Sequence, residues 1–218
     1  MSVAGGLSRR SCLLGSAAAG ALTALSLPQT AWAGAQIEEP LIDSVRTALS
    51  SAVHNKAPPV PQFADTEARL AYLRWLGEMS ERLRKKVADP APRIEFLQTV
   101  WYEAKRSGLD VSLVLGLIQV ESNFRKFAVS SAGARGYMQV MPFWTKVIGD
   151  SDRRKLFHMQ TNLRYGCSIL RMYIDMERGN LYLALGRYNG SRGKPQYPNA
   201  VLSAWKKWEF TPAAVASR

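Results

Sequence analysis

The sequence is poor in the groups that carry redox and metal chemistry. Two cysteines and two histidines occur in 218 residues. Cys12 falls within the first thirty-three residues, read below as a leader, so Cys167 stands alone in the remainder and no intramolecular disulfide can form there. Cys167, between Gly166 and Ser168 on a helix-like run, reads as a small buried hydrophobe rather than a nucleophile. His54 and His158 lack the neighbours a metal site needs, so no metal and no cofactor are expected. The chain also lacks an apolar run of confident membrane-spanning length, which argues against a stable membrane anchor. No stretch alternates with period two for long enough to make a strand, which leaves an all-α architecture. Acids thin out toward the C-terminus: beyond residue 121 only Asp150, Asp152, Asp175, Glu177 and Glu209 remain.

Hydrophobic residues make up 47%, enough for a packed core, and the formal charge is +12. The first thirty-three residues stand apart from the fold. Arg9-Arg10 precede an Ala/Gly/Leu-rich run ending near Leu27, and Ala31-Trp32-Ala33 is a small-residue cleavage site. This is the pattern of a twin-arginine export signal, the alternative being a general secretory signal with an incidental arginine pair. Cys12 lies before the apolar run and is a poor lipidation site. Removing residues 1–33 removes two arginines and no acid, leaving 27 basic against 17 acidic residues, a net of +10. Such a charge draws a protein to acidic polymers. No nucleic-acid-binding signature accompanies it, and the export signal argues against that partner.

Residues 37–54 read as a modest helix, broken by the stiff Ala57-Pro58-Pro59-Val60-Pro61 linker. A longer helix begins at Asp65 or Thr66, with acids early and Arg82, Arg84, Lys85 and Lys86 late, as the helix dipole prefers. Its apolar stripe, Tyr72, Leu76, Met79, Leu83 and Val87, is assigned to docking on the following domain. Asp89-Pro90-Ala91-Pro92 marks the next boundary. The expected organisation is thus a leader over 1–33, a helical extension with a Pro-rich linker over 34–90, a main domain over 91–210 and a tail over 211–218. Within the main domain helices are expected over 93–107, 143–148, 160–178, 181–188 and 195–208, with a charged loop over 149–155.

The centre of the chain is the stretch from Asp110 to Pro142. Asp110 is a helix cap, and Val111, Leu113, Val114, Leu115, Leu117, Ile118 and Val120 then cover nearly every side, so this helix is buried. At its far end stands one carboxylate, Glu121, followed by a polar stretch containing Gly133 and Gly136. A glutamate at a helix end is ordinarily a solvated surface residue. Here the negative end of the helix dipole and the apolar surroundings both disfavour the anion. A carboxylic acid kept protonated near neutral pH can act as a general acid.

Glu121-Ser122-Asn123-Phe124, followed by the run from Ala128 to Pro142 (AVSSAGARGYMQVMP), resembles the signature of the soluble lytic transglycosylases, E-S-x-F, A-x-S-x-x-G-A-x-G-L-M-Q and M-P, over more than twenty consecutive positions. Tyr137 stands where that family usually has leucine. Asn162 to Leu170 is similar to its N-[IL]-x-x-G-x-x-x-L helix, and Ala184 to Gly190 to its A-L-A-A-Y-N-A-G segment, with Arg187 in place of an alanine. The resemblance spans roughly Arg93 to Trp208 and says little about residues 34–90.

The resemblance implies a goose-type-lysozyme-like helical domain acting on peptidoglycan glycan strands in the periplasm. Glu121 would protonate the oxygen between N-acetylmuramic acid and N-acetylglucosamine. Ser130 and Tyr188 would orient it, and Met138, Gln139 and Asn189 would line the groove and hold the saccharide. Most glycosidases need a second carboxylate, and none of the five later acids carries a motif. The family's reaction needs only one, because the muramyl 6-hydroxyl closes onto its own ring to leave a 1,6-anhydro end. Two alternatives stay open: a hydrolytic muramidase of the same fold, and a non-catalytic wall-binding protein in which Arg187 or residues 34–90 have made the groove a docking site. A cell-envelope complex reaching residues 34–90 is the remaining partner expectation.

Overall fold

The structure, a computed structural model, describes Met1 and residues 36–41, 43–54 and 60–211. The leader, most of the Pro-rich linker and nearly all of the tail lie outside the described residues. The chain divides into two compact units, Met1–Thr30 and Ala31–Arg218. Of the first only Met1 is described, and everything below concerns the second.

The described residues form α1 (Asp43–His54), α2 (Thr66–Leu83), α3 (Pro90–Arg106), α4 (Val111–Ser122), α5 (Phe143–Ile148), a 3-10 turn over Arg153–Phe157, α6 (Met159–Met176), α7 (Leu181–Asn189) and α8 (Gln196–Trp208). Two isolated bridges through Arg135 are the only β-type pairing among them, so the all-helical expectation holds. Two helix starts differ from the sequence reading. The helix expected over 37–54 begins only at Asp43, because Pro40 disfavours the helical conformation at Glu39 and the segment before α1 is engaged elsewhere. Asp89-Pro90-Ala91-Pro92, read as a boundary, starts a helix instead. Asp89 accepts from Ala91 N and Pro90 takes the first helical position, where a missing N–H goes unfelt. The charged loop over 149–155 runs into the 3-10 turn, capped by Asp152 on Arg154 N.

α4 is the axis of the domain. Asp110 caps it by accepting from Leu113 N at 2.8 Å, and Leu113, Val114, Leu115, Leu117 and Ile118 are all buried. α8 lies directly against it. A Cβ on Gly116 would fall 2.6 Å from Trp205 N, so only glycine lets the two backbones approach this closely. The α2 stripe is buried in the same apolar core: Tyr72, Leu76, Met79 and Leu83 are all under 9% exposed, with Trp75 beside them. α3 and α6 are joined by a buried ion pair. Arg164 donates from Nη2 to Glu103 Oε1 at 2.7 Å, and Arg106 donates from Nε to Glu103 Oε2 at 3.0 Å.

Candidate active site

Glu121 sits one residue from the end of α4 and is 2% exposed. The chain leaves α4 through two successive left-handed residues, Asn123 (φ 49°) and Phe124 (φ 64°). Asparagine tolerates this conformation; phenylalanine seldom adopts it, so the turn beside Glu121 is strained. Phe124 is held there by edge-on packing against Phe96 and Trp208.

The donor to Glu121 comes from the far end of the sequence. Tyr197, on the first turn of α8 and fully buried, gives its hydroxyl to Glu121 Oε1 at 2.6 Å. That distance lies in the range of charge-assisted O–H···O bonds. Burial first, and then the charge of Glu121, push the Tyr197 phenol well above its ordinary value, so it stays a neutral donor. Sequence reasoning did not select Tyr197. A single tyrosine beside Pro198 has no local pattern, and the contact that reveals it spans the whole domain.

The residues that the motifs singled out are placed in different ways. Tyr188, also fully buried, uses its one O–H on the Met138 carbonyl at 2.8 Å, so it meets Glu121 electrostatically rather than as a donor. Burial and then the Glu121 charge raise its phenol well above the ordinary value. Met138 offers that carbonyl. Its side chain is fully buried, with its sulfur facing Cys167 Sγ at 4.0 Å. Gln139, 1% exposed and at φ 48°, donates from Nε2 to the carbonyls of Ala128 and Gly136, bracing the loop that follows Glu121. Ser130 Oγ accepts from Ala134 N at 3.0 Å inside the same loop. Asn189, 8% exposed, donates to Ser191 Oγ at 3.1 Å at the end of α7.

The loop is tied to α6 by Asn162. This residue accepts from Met138 N at 2.8 Å and donates to the carbonyls of Arg135 and Leu156. Gly136, at φ 75°, sits so close that a Cβ there would fall 2.6 Å from Leu156 O. Tyr137, the departure from leucine, is an aromatic core residue 4.7 Å from the Phe96 ring, and burial pushes its phenol up to about 12. Cys167 is fully buried, and burial raises its thiol far from the reactive range. Among the described residues no cluster of histidine, cysteine and carboxylates has the arrangement a metal would need. No helix there is long and apolar enough to cross a membrane.

A central buried helix delivering one carboxylate into a glycine-turned loop, closed by the two helices that carry Tyr188 and Tyr197, defines a class. The chain belongs to the Transglycosylase SLT domain family, which matches residues 98–209. Among particular proteins, it is similar to the membrane-bound lytic murein transglycosylase C of Actinobacillus pleuropneumoniae serotype 5b (strain L20). The two are 39% identical over 94 residues, covering 43% of this chain and 24% of the relative. The protein of the same name from Haemophilus ducreyi (strain 35000HP / ATCC 700724) is 34% identical over 121 residues, 51% of this chain and 30% of the relative. This chain therefore matches less than a third of the length of these relatives. An inactive mutant of the lytic transglycosylase Slt from Pseudomonas aeruginosa aligns at TM-score 0.48 with 25% identity, over 64% of this chain and 29% of that one.

Proposed function

We propose that this chain is an exported lytic transglycosylase that cleaves the β-1,4 bond between N-acetylmuramic acid and N-acetylglucosamine in peptidoglycan and leaves 1,6-anhydromuramyl ends. The observation that carries the reading is the buried Glu121 carboxyl, held by Tyr197 within the family's domain. Glu121 gives its proton to the glycosidic oxygen as the C1–O bond breaks. The substrate's own N-acetyl oxygen steadies the cationic centre. Glu121, now a base, takes the proton of the muramyl 6-hydroxyl as that oxygen bonds to C1. The donated proton leaves on the departing sugar hydroxyl, Glu121 is reprotonated from the 6-hydroxyl, and no water is consumed. One acid–base residue supplies about 10²–10⁴-fold in rate, and the groove must supply the rest by positioning.

The fate of the five acids that follow Glu121 supports a single-carboxylate scheme. Asp150 pairs with Lys155, Asp152 with Arg154, Asp175 with Arg171, and Glu177 with Arg187 and Arg192. Glu209 is exposed at the C-terminal end of α8. In this reading Ser130, Met138, Gln139, Tyr188 and Asn189 act chiefly by shaping the loop and wall around Glu121. Residues 1–33 direct twin-arginine export to the periplasm, residues 34–90 pack as an extension on the catalytic domain, and the net charge holds the protein to the acidic polymer.

The test is mass spectrometry of muropeptides released from purified sacculi by the wild type and by Glu121→Gln. Anhydromuropeptides, lighter than hydrolytic products by one water, are expected from the wild type, with at least about a hundredfold loss in the variant, the lower end of acid–base effects. Reducing-end muramic acid as the main product would make the enzyme a muramidase. Full activity of Glu121→Gln would remove the carboxyl from the chemistry.

A further inference from the structure

Residues Gln36 to Leu41 precede α1 and lie outside the segment matched by the family. Even so, they pack against the site. Gln36 is 4% exposed. Its Oε1 accepts from Trp144 Nε1 at 2.8 Å and, more weakly, from Met141 N at 3.4 Å. Its Nε2 is buried without a hydrogen-bond partner. This amide lies close enough to the Tyr188 hydroxyl to oppose the upward push that burial and Glu121 exert on that phenol, without reaching hydrogen-bond geometry.

Three residues further on, Glu39 accepts from Arg187 Nη1 through both carboxylate oxygens, at 2.8 and 2.7 Å. Arg187 also pairs with Glu177, which Arg192 holds in a two-pronged contact at 2.7 and 3.0 Å. Arg187 is the residue that departs from the family's alanine, and it immediately precedes Tyr188. Its guanidinium is thus committed to clamping the N-terminal segment onto the ends of α6 and α7.

We propose that Gln36 is a positioning residue for this site, presented by an N-terminal strap that Glu39 and Arg187 lock in place. The segment from Met138 to Trp144 is pinned at both ends. Tyr188 holds it at the Met138 carbonyl, and Gln36 holds it at Met141 N and Trp144 Nε1. A desolvated amide N–H with no acceptor is costly. The acceptor within its reach is the lone pair of the Tyr188 oxygen, whose proton already goes to Met138. When substrate tightens this segment, Gln36 Nε2 donates to that oxygen, completing a relay from Gln36 through Tyr188 to the Met138 carbonyl. The strap thereby supplies from outside the family's domain a support that fixes Tyr188 and this segment relative to Glu121.

This inference rests on Glu121 acting as the acid and base, and its test keeps the two claims separable. The full chain, exported and processed, is assayed on purified glycan strands, with products identified by mass spectrometry and kcat, KM, the pH profile and the melting temperature all measured. Gln36→Leu is expected to lower kcat about tenfold, the worth of one hydrogen bond, with KM within about twofold. Gln36→Glu keeps an acceptor for Trp144 but sets a negative charge beside Tyr188, whose hydroxyl also feels the charge of Glu121. It is expected to move the alkaline limb of the kcat profile to higher pH, which a purely structural role would not do. If Gln36→Leu does not fold, the profile of Gln36→Glu alone decides. Both variants matching the wild type in kcat and alkaline limb would overturn the proposal, as would losses fully accounted for by the unfolded fraction. Wild-type products without anhydro ends would refute the reading of the site itself, whatever the strap variants do.

Discussion

Replacing Tyr197 by phenylalanine removes one oxygen from a fully buried ring and leaves its packing against α4 intact. The lost contact is the 2.6 Å bond to Glu121 Oε1. Hydrogen bonds to charged groups contribute about 1.5–3 kcal/mol, and each 1.4 kcal/mol is about tenfold in rate. If the bond is at full strength when Glu121 is the carboxylate that must accept the 6-hydroxyl proton, kcat falls between about tenfold and about a hundredfold. The melting temperature falls by only a few degrees, as expected for about 1 kcal/mol in a domain of this size. The direction in pH follows from the same bond. A donor to the charged form favours that form, so its loss raises the pH at which Glu121 gives up its proton and moves the alkaline limb of the kcat profile to higher pH. Initial rates of soluble muropeptide release from sacculi across pH, with melting curves on the same samples, read all three quantities. An unchanged kcat and alkaline limb in a folded Tyr197→Phe protein would mean that the bond positions nothing in the reaction.

Three further outcomes are expected. Glu103→Ala strips the carboxylate that Arg164 and Arg106 face inside the core and should destabilise the protein by about 3–5 kcal/mol, the usual effect of breaking a buried pair, read by chemical denaturation. Glu177 is held down to about 2 from 4.5, first by its hydrogen bond from Arg192 and then, against the opposing effect of burial, by that from Arg187. A depressed carboxylate contributes stability that is present above its unfolded value and lost as pH falls through the folded one. Melting temperature should therefore drop between about pH 4.5 and pH 2, and less steeply in Glu177→Gln. Arg9→Lys with Arg10→Lys should strand unprocessed precursor in the cytoplasm, because the receptor reads both guanidinium groups; immunoblots of cell fractions showing normal processing would assign the general secretory route.

Local features were readable in advance where the physics is local. α4 could be seen from its unbroken apolar cover and its aspartate cap, and Glu121 from its place at the end of that helix. The stripe on α2 was visible as a period and is buried as a period implies. The misreadings arose where a residue has two uses. Pro90 breaks a helix interior but serves well at a helix start, and only the Asp89 cap bonding to Ala91 N decides which. Glu38-Glu39 look like a helix's acidic first turn, but Glu39 is drawn off by Arg187, a residue 148 positions away. Met138 carries a motif, yet what it gives the site is a backbone carbonyl, which no residue type announces. Tyr197 was missed because its meaning lies entirely in a contact across the domain.

That contact also dates the site within the life of the chain. Glu121 and Tyr197 are 76 residues apart, and they meet only when α8 seats its backbone against Gly116. A nascent chain that has released α4 but not α8 holds the carboxyl without its phenol. Long-range contacts of this kind form late, after the local helices and after synthesis has delivered both partners. The pairing of Glu121 with Tyr197 is therefore among the last features the molecule acquires, gained only when α8 is in place.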